Sequence, residues 1–167
     1  NAIAQGYTTD CISRYLNDHN INSHIVDVGG EVYASSKKPD GQQWRVAIEQ
    51  PCDSLNAPRQ YNTLIKLENQ SVVTSGNYRK YTIENGIKYP HTINPHTGKP
   101  VKHTLLSVSV VASTSTEADA LATAFMVMGM EKAEQFIAKH PQYQAVFIYC
   151  DKDGKTKTKV SQALQPK

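Results

Sequence analysis

Cysteine is scarce in this 167-residue chain: Cys11, Cys52 and Cys150 lie far apart, and no C-x-x-C occurs. An odd, scattered set is neither a disulfide framework nor a zinc knuckle, and at most one pair could bridge. Long apolar runs are also missing. None approaches the ~18 residues of a membrane-spanning helix. Charge of one sign does not dominate, since 18 Lys and Arg against 15 Asp and Glu leave a formal net charge of +3. That balance, with no basic stripe between aromatics, argues against a nucleic-acid partner. The most basic segment, residues 151–159, alternates its lysines as the wet face of a hairpin strand does. There is no starting Met, no signal peptide, no repeat and no low-complexity linker. The chain opens directly in a helical pattern, as a processed or truncated product does.

What is present is enough for one domain, or part of one, with a real core. The chain is organised around residues 114–129. Thr114 followed by Glu117 reads as a capping box, in which each side chain can satisfy an orphaned backbone N–H. From Ala120 to Met130 there is no charge, and a helix apolar nearly all round is a buried helix. It nevertheless carries Asp119 and, one turn later, Thr123. A desolvated carboxylate costs several kcal/mol unless something compensates it. Positions i and i+4 share a helix face, so carboxylate and hydroxyl point the same way. Two hard oxygens in an apolar wall suit magnesium or calcium. On spacing alone a structural account takes slight precedence, in which Asp119 accepts backbone N–H bonds near the helix start and Thr123 bonds back to its own helix.

The remaining segments read as follows. Ile3, Tyr7, Cys11, Ile12, Tyr15 and Leu16 recur at helical spacing, so an amphipathic helix opens the chain and ends near residues 17–20. Gly6 within it suggests close approach of another group, with helix packing as the simple explanation. Residues 24–28 form a strand ending at Gly29-Gly30, a pair that admits a backbone or a ligand but also makes ordinary turns. Residues 31–34 continue as strand, and Trp44–Glu49 is expected to return as their hairpin partner across the Pro39-Asp40-Gly41 turn. Strands are expected at 61–67, 71–74, 78–83, 87–89, 105–111, 145–149 and 157–160, with a polar turn over 74–77 and a second helix over 131–140. Asn85-Gly86 suits a tight hairpin turn. Residues 90–100 hold three prolines and a glycine, which forbid regular structure and mark a structured loop of the kind that carries function. Histidine is the kind of side chain whose ordinary range lies near neutral pH, which singles out His91, although a surface loop histidine is the plainer reading. His91, His96 and His103 lack the spacing of a zinc site. The pattern as a whole predicts an α+β fold with a mostly antiparallel sheet and packed helices.

Five motifs in order, Ala2-Ile3-Ala4-Gln5-Gly6-Tyr7, Val26-Asp27-Val28-Gly29-Gly30-Glu31, Thr74-Ser75-Gly76-Asn77-Tyr78, His91–Val101 and Ala118–Ala124, resemble the ApbE family, the FAD:protein FMN transferases. The resemblance covers essentially the whole chain but only the C-terminal part of the family pattern. It implies a single ApbE-like (T-fold-like) domain over 1–167 that lacks the family's N-terminal part. It also implies Mg²⁺ held by Asp119, Thr123 and the backbone carbonyl of Ala2. His91 would activate the acceptor hydroxyl, and Ile93 and the Gln5 position would lie beside FAD, near Gly29 and Gly30. The family lysine is Gln5 here, the usual Asp is Asn94 and the usual basic residue is His96.

The implied reaction attacks the FMN phosphorus of FAD with a Ser or Thr hydroxyl of a target protein, and AMP leaves. The implied partners are FAD and acceptor proteins such as subunits of membrane redox pumps, and the resemblance leaves room for a homodimer. It implies a periplasmic location, as an inner-membrane lipoprotein in the full-length form. Two alternatives stay open: a non-catalytic FAD- or metal-binding fragment, and hydrolysis of FAD to FMN and AMP.

Overall fold

The computed structural model describes residues 2–51, 60–77, 81–84, 87–90, 92–101, 103–161 and 164, with residues 62, 81–84 and 87–90 described by backbone alone. In chain order the first half comprises α1 (Ala4–Asp18), β1 (Ile25–Val28), β2 (Glu31–Ala34), β3 (Trp44–Glu49), β4 (Tyr61–Leu67) and β5 (Gln70–Gly76). The second half comprises β6 (Tyr81–Glu84), β7 (Ile87–Pro90), β8 (Ile93–Asn94), β9 (Lys99–Pro100), β10 (Leu105–Ala112), α2 (Ser115–Met128), α3 (Met130–Lys139), β11 (Gln144–Cys150) and β12 (Thr156–Val160).

Six strands form one sheet in the order β1-β2-β5-β10-β11-β12, with every neighbouring pair antiparallel. Side chains alternate across it, so the inner strands feed two cores. Toward the helices, Val73, Val108, Val110, Ala145 and Phe147 pack with Ala118, Ala122, Phe125 and Met126 of α2. On the opposite face, Val32, Val72, Val111, Val146 and Ile148 pack with Ile48, Ile65 and Leu67 of the β3–β4 hairpin. The α+β architecture is as expected.

Two local expectations change. β3 does not return to β2: it pairs with β4, Trp44 opposite Leu67 and Ile48 opposite Thr63. Both edges of β2 are taken, by β1 and β5, so the alternating β3 residues instead bury their apolar side against the back of the sheet. Residues 90–100 also hold more regular structure than their prolines suggest. β8 and β9 form a short antiparallel pair, closed by the Gly98 amide donating to the Asn94 carbonyl at 2.8 Å. β6 and β7 pair as expected, while Asn85 and Gly86 of their turn lie outside the described residues. Cys11 and Cys150 are free thiols, and Cys52 lies outside the described residues. No helix among the described residues is long and apolar enough to cross a membrane.

The first helix has its faces reversed. The apolar stripe of α1 looks outward, with Tyr7 56% and Tyr15 62% exposed, while Gly6, Thr9, Asp10 and Ser13 are buried. These small and polar residues recur at helical spacing and face α2 and the β1–β2 hairpin. Their polar atoms find partners. The Thr9 hydroxyl lies 3.0 and 3.2 Å from the Gln5 and Glu31 carbonyl oxygens, to which it can donate, and Ser13 Oγ and His24 Nε2 share a hydrogen bond at 2.8 Å.

Candidate active site

α2 starts with half of the expected capping box: Thr114 caps a backbone amide, while Glu117 meets the Thr114 and Ser113 hydroxyls rather than the Thr114 amide. The Thr114 hydroxyl accepts the Glu117 amide at 3.2 Å, and the Glu117 carboxylate accepts from the Thr114 hydroxyl at 3.2 Å. Inside the first turns stands Asp119, only 7% exposed. Its Oδ2 accepts the Gly6 amide of α1 at 3.0 Å. Asp119 therefore takes a backbone N–H bond, but from a neighbouring helix rather than from its own first turn. Burial pushes its carboxyl above the ordinary carboxylate range, against the opposing pull of the Gly6 N–H.

Gly6 is what permits the contact. A Cβ there would collide with the Ser115 carbonyl oxygen and lie 2.8 Å from the Asp119 Cβ. The close approach expected from the sequence is thus real, and it brings the A-I-A-x-G start of α1 onto Asp119. Ala2 stands in the turn just ahead of α1. One turn beyond Asp119, Thr123 faces the sheet and shares a hydrogen bond with Ser75 Oγ of β5 at 3.2 Å. Thr123 and Ser75 thus pair one turn along α2 from Asp119. Among the described residues no cluster of three or more His, Cys, Asp or Glu side chains occurs. One carboxylate with neutral oxygens would suit Mg²⁺, a cation that commonly keeps several of its waters. The desolvation of Asp119 leaves a charge that a cation there would compensate.

Of the remaining predicted residues, Gln5, Gly29, Gly30 and Ile93 are described. The β1–β2 turn carries Gly29 and Gly30 at φ of 71° and 109°, left-handed backbone that favours glycine. Gln5 reaches this turn: its Nε2 lies 3.5 Å from the Val28 carbonyl oxygen, and a Cβ on Gly29 would collide with that nitrogen. The structure therefore brings Gln5, Gly29 and Gly30 together at the end of α1 that touches Asp119. His91 lies outside the described residues. Its neighbour Thr92 is anchored, donating to Asn77 Oδ1 at 2.6 Å, two residues along the chain from Ser75. Ile93, on β8, is 46% exposed. Asn94 Oδ1 accepts the His96 amide at 2.9 Å, stiffening the turn between β8 and β9. A cleft of about 600 Å³ opens from Asn94 and Lys99 to Val127, Gly129 and Lys132, starting one turn past Thr123.

Two participants escape the sequence reading. The pattern places Ser75 in a polar turn, but β5 extends through it and turns it toward Thr123. Asp10 belongs to the buried polar stripe of α1 and binds the first amides of α2, Ser115 at 2.8 Å and Thr116 at 2.9 Å. The available signal was the spacing of Gly6, Thr9, Asp10 and Ser13, overshadowed by the stronger apolar stripe beside it.

An antiparallel sheet with helices packed on one face, and a buried carboxylate where two of those helices meet, defines an α+β domain. The chain belongs to the ApbE family, whose pattern it matches over residues 1–147. It is 36% identical over 164 residues to the FAD:protein FMN transferase of Haemophilus influenzae, covering 98% of this chain and 46% of that protein. Its fold is similar to that of the flavinyl transferase ApbE of Pseudomonas stutzeri, with TM-score 0.80, 34% identity, and 97% of this chain against 48% of the other covered. The flavin transferase ApbE of Vibrio cholerae is similar at TM-score 0.81 and 32% identity, with 98% and 50% covered. The chain thus spans about half the length of these relatives.

Proposed function

We propose that this chain carries the metal-holding half of a flavin transferase that moves FMN from FAD to a Ser or Thr hydroxyl of an acceptor protein and releases AMP. The observation that carries the reading is the convergence of the family's first and last motifs, through the Gly6 amide on the Asp119 carboxylate with Thr123 one turn on. In this reading Asp119, Thr123 and the Ala2 carbonyl hold Mg²⁺. When bound, the ion supplies charge neutralisation on the pyrophosphate, and phosphoryl transfer depends on that and on positioning more than on covalent help from the protein.

The chain's own residues position the reactants. Gly30 of the β1–β2 turn faces open space and would let the donor nucleotide approach the backbone, with Gln5 packed on Gly29 and Ile93 offering an exposed apolar surface. His91 takes the proton of the acceptor hydroxyl as its oxygen bonds to the FMN phosphorus and the P–O bond to AMP breaks. Thr92, tied to Asn77, anchors the segment next to His91. The similarity to enzymes named FAD:protein FMN transferase supports FAD as donor and a protein as acceptor. The location proposed with this activity is periplasmic.

Mass spectrometry of an acceptor protein incubated with the chain, FAD and Mg²⁺ tests the reading. The expected result is an acceptor mass gain equal to FMN that disappears with EDTA and with Asp119→Ala. Retained full activity in Asp119→Ala would refute the metal assignment. One observation favours a second reading: the chain covers about half of its relatives, so a half-pocket that binds FAD without turnover is the alternative. FAD recovered unchanged would identify that binder, and FMN with AMP but no acceptor gain would identify hydrolysis.

A further inference from the structure

The contacts between α1 and α2 form a two-rung ladder. On one rung the Gly6 amide donates to Asp119 Oδ2 at 3.0 Å. On the other, Asp10 Oδ1 accepts the Ser115 amide at 2.8 Å, and Asp10 Oδ2 accepts the Thr116 amide and hydroxyl at 2.9 and 2.5 Å. Gly6 and Asp10 are one turn apart on α1, and Ser115 and Asp119 are one turn apart on α2, in the opposite sense. The two helices are therefore pinned antiparallel at successive turns, with backbones too close at Gly6 for any Cβ.

The two rungs differ in strength. The Gly6 rung is a single backbone bond to a carboxylate that burial disfavours. The Asp10 rung places an anion on the free amides of a helix start, where the peptide dipoles favour it, and makes three charge-assisted bonds. Asp10 is itself only 8% exposed, so water competes little for its oxygens. A one-turn slip of α1 along α2 would move its start by about 5.4 Å and carry it away from Asp119. Asp10 opposes that slip most strongly, although it does not reach Asp119 itself.

We propose that Asp10 is a positioning residue that sets the register of α1 on α2 and so fixes where the A-I-A-x-G start of α1 meets Asp119. Its bearing on metal affinity rests on the function proposed above. A residue that orients a metal ligand from outside the coordination sphere typically changes metal affinity by about 10–100-fold when replaced.

The test is Asp10→Asn in the same chain, with two readouts. In amide hydrogen exchange, the Gly6 amide should lose protection by roughly tenfold or more, the size expected when charged hydrogen bonds are lost, while β10 and β11 amides keep theirs. In thermal melts with added Mg²⁺, the apparent Mg²⁺ Kd should rise by about 10–100-fold. Should Asp10→Asn fail to fold, Thr116→Val removes one of the three bonds and should move both readouts the same way by less. Loosening confined to Ser115 and Thr116, with Gly6 protection and Mg²⁺ response unchanged, would make Asp10 a local cap and overturn the proposal. If the parent chain shows no Mg²⁺ response, the metal reading falls, and the Gly6 amide alone still decides the register role.

Discussion

Asp119 is a carboxylate that its own fold disfavours. Burial raises its pKa, so in the metal-free chain Asp119 adds stability below the ordinary carboxyl range and that stability is lost as pH rises through the raised value. At neutral pH its charge works against folding. Asp119→Asn keeps an oxygen to accept the Gly6 N–H and removes the charge. The metal-free variant should therefore melt at the parent temperature or a few °C above it at pH 7, since about 1 kcal/mol moves the Tm of a chain this size by roughly 2–4 °C. The difference should shrink as pH falls through the raised carboxyl value. The same variant should lose its Mg²⁺-dependent rise in Tm. Calorimetry across pH, with and without Mg²⁺, reads both effects, and a variant that melts below the parent at pH 7 would contradict the account.

At the scale of the element, α1 packs by its polar stripe. Gly6→Ala would drive a Cβ into the Ser115 carbonyl and the Asp119 Cβ, and neither backbone can yield while Asp10 holds the helix start. An overpacking cost of about 1–3 kcal/mol follows. Tyr7→Ser and Tyr15→Ser remove large side chains from the outward face, where they are 56% and 62% exposed. They should change stability by no more than about 0.5 kcal/mol. The inversion of effects expected from residue size, with a single methyl costing more than a phenol ring, can be checked in urea titrations of the three variants. The Arg14 guanidinium lies 5.9 Å from the centre of the Tyr7 ring, a surface contact that leaves this ordering intact.

At the scale of the whole molecule, stability is carried by the strands shared between the two cores. β5, β10 and β11 lie inside the sheet with both faces covered, and β1 and β12 are its edges. Exposed and partly unpaired backbone opens at lower free energy than backbone locked in a core. Amide exchange should therefore be slowest in Val108–Val111 and Ala145–Ile148 and faster in Ile25–Val28 and Thr156–Val160. Equal protection across all six strands would mean that the sheet opens only as a unit. The site spans the more and less stable regions: Asp119 and Thr123 ride on α2 over the central strands, whereas Gln5 meets the turn at the β1 edge.

The sequence by itself determined the elements that local physics specifies. Thr114 and Glu117 begin α2, the apolar run from Ala120 buries it, and alternating residues make β10 and β11. It also determined the Asp119–Thr123 spacing, because i and i+4 share a face in any helix, and the order of motifs that marks the family. Only the tertiary structure decided partners. β3 went to β4 because both edges of β2 were filled, and α1 turned its apolar stripe outward because its polar stripe matched the start of α2. Ser75 came to Thr123, and Asp10 to Ser115, across 48 and 105 positions of chain. Contacts at such separations depend on which surfaces meet once each element has formed, and no local periodicity records that.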